Sequence, residues 1–199
     1  MKERLNENSA IDKYNLQETG VPNIDSMLTY MRSEALSKNI EFELKISGDI
    51  SYMVNNIIDK QDLEIMIADH IKDGIIAIKS KHSETNRKLL IKLGKFEDYF
   101  EFSVSDTGID FEINTLIKLG LERVTTHEDI GGSGIGFMTT FETLKTCRAS
   151  LIIEEYHPSD IGYSKTVMIR FDNKNEYRIK SYRAKEIKLF DINKRILLD

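Results

Sequence analysis

The chain has 199 residues, 40% of them hydrophobic and 31% charged, with 28 Lys and Arg against 33 Asp and Glu for a formal net charge of −5. That length suits about one domain with a packed core, and the acidic balance excludes an electrostatic nucleic-acid binder, which needs a basic excess. A single cysteine, Cys147, excludes an internal disulfide and any multi-cysteine metal site, and two prolines with 11 glycines exclude a low-complexity chain.

No apolar run approaches the ~18 residues of a membrane span. Met1 to Asn6 carries no apolar signal-peptide core, so a cytoplasmic location is expected, on a full-length protein that could associate with a membrane. Residues 1–20 are polar and read as a linker or the end of an upstream helix, with the ordered domain expected from Val21-Pro22 to residue 172 and an extension over 173–199. A helix starts near Asn23-Ile24-Asp25, with Asn23 or Asp25 as cap. Met27, Leu28, Met31, Ala35 and Leu36 form its apolar face, and Asn39 closes it. Ile40 to Ile46 alternates strictly and predicts a half-buried strand. Ser51 to Ile58 is ambiguous between a short strand and a turn.

Lys60 to Lys79 is a strong helix. Leu63, Ile67, Ile71, Gly74 and Ile78 make one apolar stripe, while Asp62, Ile65, Asp69, Asp73 and Ile76 occupy the other side. Two carboxylates four residues apart, set between isoleucines, point one way. They face either a cleft or the rim of a helix covered on both sides, and the stretch alone leaves both open. Lys88–Leu93 and Phe100–Val104 read as strands joined by a hairpin over Gly94 to Asp98. The second strand runs into Asp106-Thr107-Gly108-Ile109-Asp110, placing a carboxylate at a strand end before a glycine free to take positive φ. Taken alone, this is an ordinary turn.

Phe111 to Leu119 predicts a short helix. Gly120 to Ile130 is polar, aperiodic and bounded by glycines, which fits a lid. Gly131-Gly132-Ser133-Gly134-Ile135-Gly136 follows, directly before a helix over 134–146. Bare backbone N–H groups at a helix N-terminus suit a phosphate. Leu151–Ile153 and Lys165–Phe171 are strands joined through Tyr156 to Gly162, and 172–199 adds a strand or a short helix, or packs on a partner. The strands come mostly as antiparallel neighbours and the helices cover one face: an α+β two-layer sandwich.

Three phosphate sites compete for the glycine loop. A Walker loop needs Lys-Ser/Thr after the glycines, and none is present. A dinucleotide fingerprint needs G-x-G-x-x-G after a buried strand; position 137 is Phe, and Val124 to Ile130 contains His127, Glu128 and Asp129, although Glu154 and Glu155 stand near the distance of its acidic partner. The third reading uses every feature in order. Asp69 to Ala77, Asp106-Thr107-Gly108-Ile109-Asp110 and Gly132-Ser133-Gly134-Ile135-Gly136 resemble the N box, the D-x-G-x-G box and the second glycine box of the GHKL ATPase superfamily. Within it the chain resembles the catalytic ATP-binding domain of a sensor histidine kinase.

The resemblance implies a Bergerat-type ATP-binding fold over 21–172 and a mixed, mostly antiparallel sheet. It implies ATP and Mg²⁺ as substrate and cofactor. Asp106 would accept from the adenine amine, with Thr166 supporting it and Gly108 admitting the backbone; Gly132, Gly134 and Gly136 would wrap the phosphates; Asp73 would bind the metal; Asp69 would activate the attacking group. The implied partners are a histidine-containing dimerisation domain, upstream or in trans, and a response regulator, with a homodimer in the full-length protein. Asp73 replaces the family's asparagine, Gly74 its alanine and Asp110 its second box glycine. None of His70, His82, His127 or His157 reads as the phospho-acceptor. The alternatives are an anti-sigma-factor-type serine kinase, or a non-catalytic nucleotide-binding regulatory module.

Overall fold

The computed structural model describes residues 16–81, 83, 85–112, 116, 135–157, 162–183 and 188–191. In chain order these form α1 (Pro22–Ser37), β1 (Glu41–Ser47), α2 (Ile50–Asn56), α3 (Lys60–Ser80), β2 (Lys88–Phe96), β3 (Tyr99–Asp106), α4 (Ile135–Cys147), β4 (Ser150–Glu155), β5 (Lys165–Phe171), β6 (Glu176–Ser181) and β7 (Lys188–Asp191). The strands make one sheet of order β1-β2-β3-β5-β4-β6-β7. β1/β2 and β4/β6 are parallel and the other four pairs antiparallel. This is the expected α+β two-layer sandwich.

The register explains where the site lies. Side chains alternate across a strand, so cross-strand partners share a face. One row reads Leu93, Phe102, Ile169, Leu151, Tyr177 and the next Ile91, Val104, Val167, Ile153, Ile179. Both are apolar, and all but the partly buried Ile179 belong to the buried core. The row after them reads Leu89, Asp106, Lys165, Glu155, Ser181. The same core face therefore turns polar at one end of the sheet. On the other face the matching row is Leu90, Ser105, Thr166, Glu154, Lys180.

α3 lies over β2 and β3 and packs between α1 and α4. Asp59 caps it, accepting from the N–H groups of Gln61 and Asp62. Its predicted stripe, Leu63, Ile67, Ile71, Gly74 and Ile78, is fully covered. At Gly74 the helix backbone rests on the row that carries Asp106: a Cβ there would stand 2.7 Å from Leu89 Cδ1, which would have to turn aside, and 3.7 Å from Asp106 Cβ.

Several elements differ from expectation. α1 begins at Pro22, with Val21 as N-cap and no side-chain cap bond; a proline at the first helical position loses no hydrogen bond. Asp25 instead accepts from Thr19 N–H and Oγ1, at 2.7 Å each. The buried face includes Ile24, while Leu36 is exposed. The ambiguous stretch 51–58 is mostly a helix, α2, whose cap Asp49 accepts from Tyr52 N–H at 2.9 Å. The first hairpin is tighter than predicted: β2 runs through Gly94 to Phe96, and the turn is Glu97-Asp98, with Glu97 at φ 54°. Gly94 is glycine because a Cβ would meet Ser47 O of β1 at 1.9 Å. The extension contributes two strands, β6 and β7, to the sheet edge.

Candidate functional site

Asp106 ends β3 and is 3% exposed. Its Oδ1 accepts from Gly108 N–H at 2.8 Å and from Lys165 Nζ at 2.7 Å. Burial pushes its carboxyl up, and the Lys165 ammonium opposes that shift. Gly108 is not in the left-handed region. A Cβ there would lie 2.4 Å from the backbone carbon of Ala77, and Ile109 N–H donates to Ala77 O at 3.2 Å. The expected freedom of φ is therefore not what the position uses; contact with the α3 backbone is. The loop after β3 is docked on the last turns of α3, and Lys81 Nζ, just past that helix, donates to Thr107 O at 2.9 Å.

Asp69 and Asp73 project from α3 and are half-buried. Desolvation lifts Asp69. It also lifts Asp73, pushed up to about 6, with the charges of Asp69 and Asp106 adding to the rise and Lys72 and Lys165 opposing it. The helix carboxylates and the strand-end carboxylate therefore share one electrostatic environment. Between them on α3, His70 is buried, its ring Nε2 3.1 Å from Thr140 Oγ1 of α4. Burial brings it down to about 4. It is a structural histidine, as expected.

Thr166 neighbours Asp106 along the sheet but faces the other way. Its Oγ1 is 2.6 Å from Ser105 Oγ and accepts from Tyr156 OH at 3.1 Å. The side chain standing opposite Asp106 is Lys165. Asp110, which departs from the box pattern, accepts from Tyr182 OH at 2.8 Å. Beside it Glu155 accepts from Phe111 N–H at 2.9 Å, from Ser181 Oγ at 2.6 Å and from Arg183 Nε and Nη2, the latter also donating to Phe111 O at 2.5 Å. The C-terminal extension thus holds the loop after β3 in place. A cleft of about 290 Å³ opens beside this loop, lined among others by Lys81, Gly108, Tyr156 and Tyr163.

No protein-family model matches the chain, and no curated protein matches it by sequence. Solved structures do. The nucleotide-free catalytic domain of histidine kinase ThkA superposes with a TM-score of 0.57 at 13% identity, over 77% of this chain and 91% of that one. The chain has the fold of a histidine-kinase catalytic domain. The mycobacterial sensor histidine kinase MprB matches at TM-score 0.52 and 16% identity, over 75% and 91%. Full-length ShkA, solved with AMPPNP, matches at 0.52 and 14%, over 78% of this chain and 30% of ShkA.

In this histidine-kinase fold Gly108 N–H donates to Asp106, Asp73 of α3 feels the charges of both Asp69 and Asp106, and Thr166 stands behind the sheet. The lid and two of the three phosphate-loop glycines, Gly132 and Gly134, lie outside the described residues; Gly136 is in the first turn of α4. Lys165, Tyr182 and Arg183 were not legible as site residues, and Glu155 entered only the rejected dinucleotide reading. Lys165 could have been found by registering β5 against β3, which sets it opposite Asp106. Among the described residues no helix is long and apolar enough to cross a membrane.

Proposed function

We propose that this domain binds ATP with Mg²⁺ and donates the γ-phosphoryl group to a histidine on a dimerisation helix pair, upstream or in trans, for onward transfer to a response regulator. The supporting observation is the fold of a histidine-kinase catalytic domain with Asp106 at the polar end of its sheet, directly under α3, the helix that carries Asp69 and Asp73: a Cβ on Gly74 would stand 3.7 Å from Asp106 Cβ. In this reading the Asp106 carboxylate accepts from the exocyclic amine of adenine, an interaction guanine does not offer in the same place. Gly136 and the N–H groups opening α4, with Gly132 and Gly134, receive the phosphates.

Asp73 fits Mg²⁺. It is a hard-oxygen donor, and the neighbouring carboxylates that raise its pKa make a cation welcome. Among the described residues no group of three or more Asp, Glu, His or Cys side chains could by itself hold a metal ion, so phosphate oxygens and water would supply the other ligands. When bound, the cation neutralises charge on the transferring group. In this reading Asp69, one turn before Asp73, takes the proton of the attacking imidazole, and its raised pKa makes it a better base.

A thermal shift with ATP, ADP and GTP, with and without Mg²⁺, tests the nucleotide half. Adenine nucleotides raise the midpoint and GTP does not; equal shifts by GTP and ATP would reject adenine recognition. For the transfer half, γ-labelled ATP should give acid-labile phosphate on a histidine-bearing helix pair, lost in Asp73→Ala. A second reading, a non-catalytic regulatory module that binds nucleotide weakly or not at all, draws on the Lys165–Asp106 pair and predicts no phosphoryl transfer and little or no thermal shift with any nucleotide.

A further inference from the structure

Lys165 is the buried charge for which the proposed chemistry has no use. Its side chain is 4% exposed, as is that of Asp106. The ammonium donates to Asp106 Oδ1 at 2.7 Å and to Ile109 O at 2.6 Å, and lies 5.3 Å from the centre of the Phe111 ring. A carboxylate, a backbone carbonyl and an aromatic face are what the amino edge of a flat heterocycle would also seek. The β3/β5 register fixes the Cα of Lys165 opposite that of Asp106, so only rotation of the side chain can clear the carboxylate. Burying both ions has a large desolvation cost, which such a pair recovers only with good geometry and further hydrogen bonds. Here both conditions are met, so the pair is a firm occupant of the place assigned to adenine.

We infer that Lys165 is an internal stand-in for the exocyclic amine of adenine: its ammonium holds Asp106 in the nucleotide-free protein, and an adenine nucleotide binds only by displacing it. The inference rests on the ATP reading above. The exchange is non-covalent, one N–H donor replacing another at the same oxygen. Lys165 is then an affinity-determining residue. If the displaced arrangement makes up a tenth or less of the nucleotide-free population, apparent affinity is lowered tenfold or more.

The test is calorimetric titration of Mg²⁺ and ATP into the wild type, Lys165→Met, Lys165→Gln and Asp106→Asn. The expected result is at least tenfold tighter binding by Lys165→Met, with Lys165→Gln between it and the wild type and no binding by Asp106→Asn. Nucleotide-free Lys165→Met should also melt below the wild type, because Asp106 is left buried without its cation, and ATP should raise its melting temperature by more than it raises that of the wild type. A wild type that binds ATP no more weakly than a folded Lys165→Met would overturn the inference and leave the ATP reading standing. Absence of binding by the wild type and by every folded Lys165 variant would overturn both.

Amine acylation of the wild type, read by mass spectrometry, needs no variant. Lys165 should be protected alone and labelled once ATP and Mg²⁺ are added. Continued protection with nucleotide bound contradicts displacement.

Discussion

At the scale of single residues, the site stores charge in partly dry surroundings, and that storage has a measurable pH dependence. His70 has a pKa of about 4 in the folded chain against the ordinary 6.5. Between those values the unfolded chain takes up a proton that the folded chain does not, so this contribution is whole above about pH 6.5 and is lost as pH falls toward 4. Asp73 runs the other way. Its pKa rises from 3.8 to about 6, so stability is lost as pH climbs through that window, and the raised Asp69 and Asp106 act in the same direction. Two outcomes follow. Asp73→Asn should stabilise the nucleotide-free protein at pH 7 by about 1–2 kcal/mol, a few degrees in melting temperature, since it removes a desolvated carboxylate that the charges of Asp69 and Asp106 disfavour. In that background urea midpoints should fall more steeply between pH 6.5 and 4 than in the wild type, and adding His70→Gln should flatten the fall.

At the scale of elements, the loop after β3 is held from both sides. On one side Gly108 touches the backbone of α3 at Ala77 and Ile78. Gly108→Ala cannot be absorbed by a side-chain rotation, because the clash is with main chain; a loss of about 2–4 kcal/mol is expected in chemical denaturation, within the range of overpacking and strain. On the other side Arg183 and Tyr182 clamp Glu155, Phe111 and Asp110. The sequence made some of this plain and hid the rest for physical reasons. α3 carries a clean period, so its bounds and apolar face could be read, and β5 could be bounded but not faced: Thr166, expected beside Asp106, is on the other side of the sheet. α2 has only seven residues, too few for a helical period, and its signal was the capping Asp49. Gly94 resembled a turn because the contact that demands it, with Ser47 of the parallel neighbour, is invisible along the chain. The carboxylates of the site were legible because they lie in local motifs, whereas Lys165 and Arg183 act through pairing across the sheet.

At the scale of the whole molecule, one sheet face is a core whose last row is a polar site, and the C-terminal strands complete it. Tyr177 of β6 is buried in that core, its ring 5.4 Å from Phe141 of α4 and its hydroxyl donating to Leu116 O at 2.9 Å. Residues 173–183 are therefore structural. Ending the chain at residue 172 should abolish cooperative thermal unfolding, because it exposes the edge of β4 and leaves the fully buried Glu155 carboxylate without Arg183. Arg183→Ala alone should cost about 2–4 kcal/mol in a urea titration, the range for leaving one member of a buried pair uncompensated.

The central claim is that the polar end of this sheet reads adenine through Asp106. Calorimetric titration of ATP with Mg²⁺ into the wild type and into folded Asp106→Asn tests it most directly. Saturable heat is expected with the wild type and none with the variant. Equal affinity in the two would contradict it.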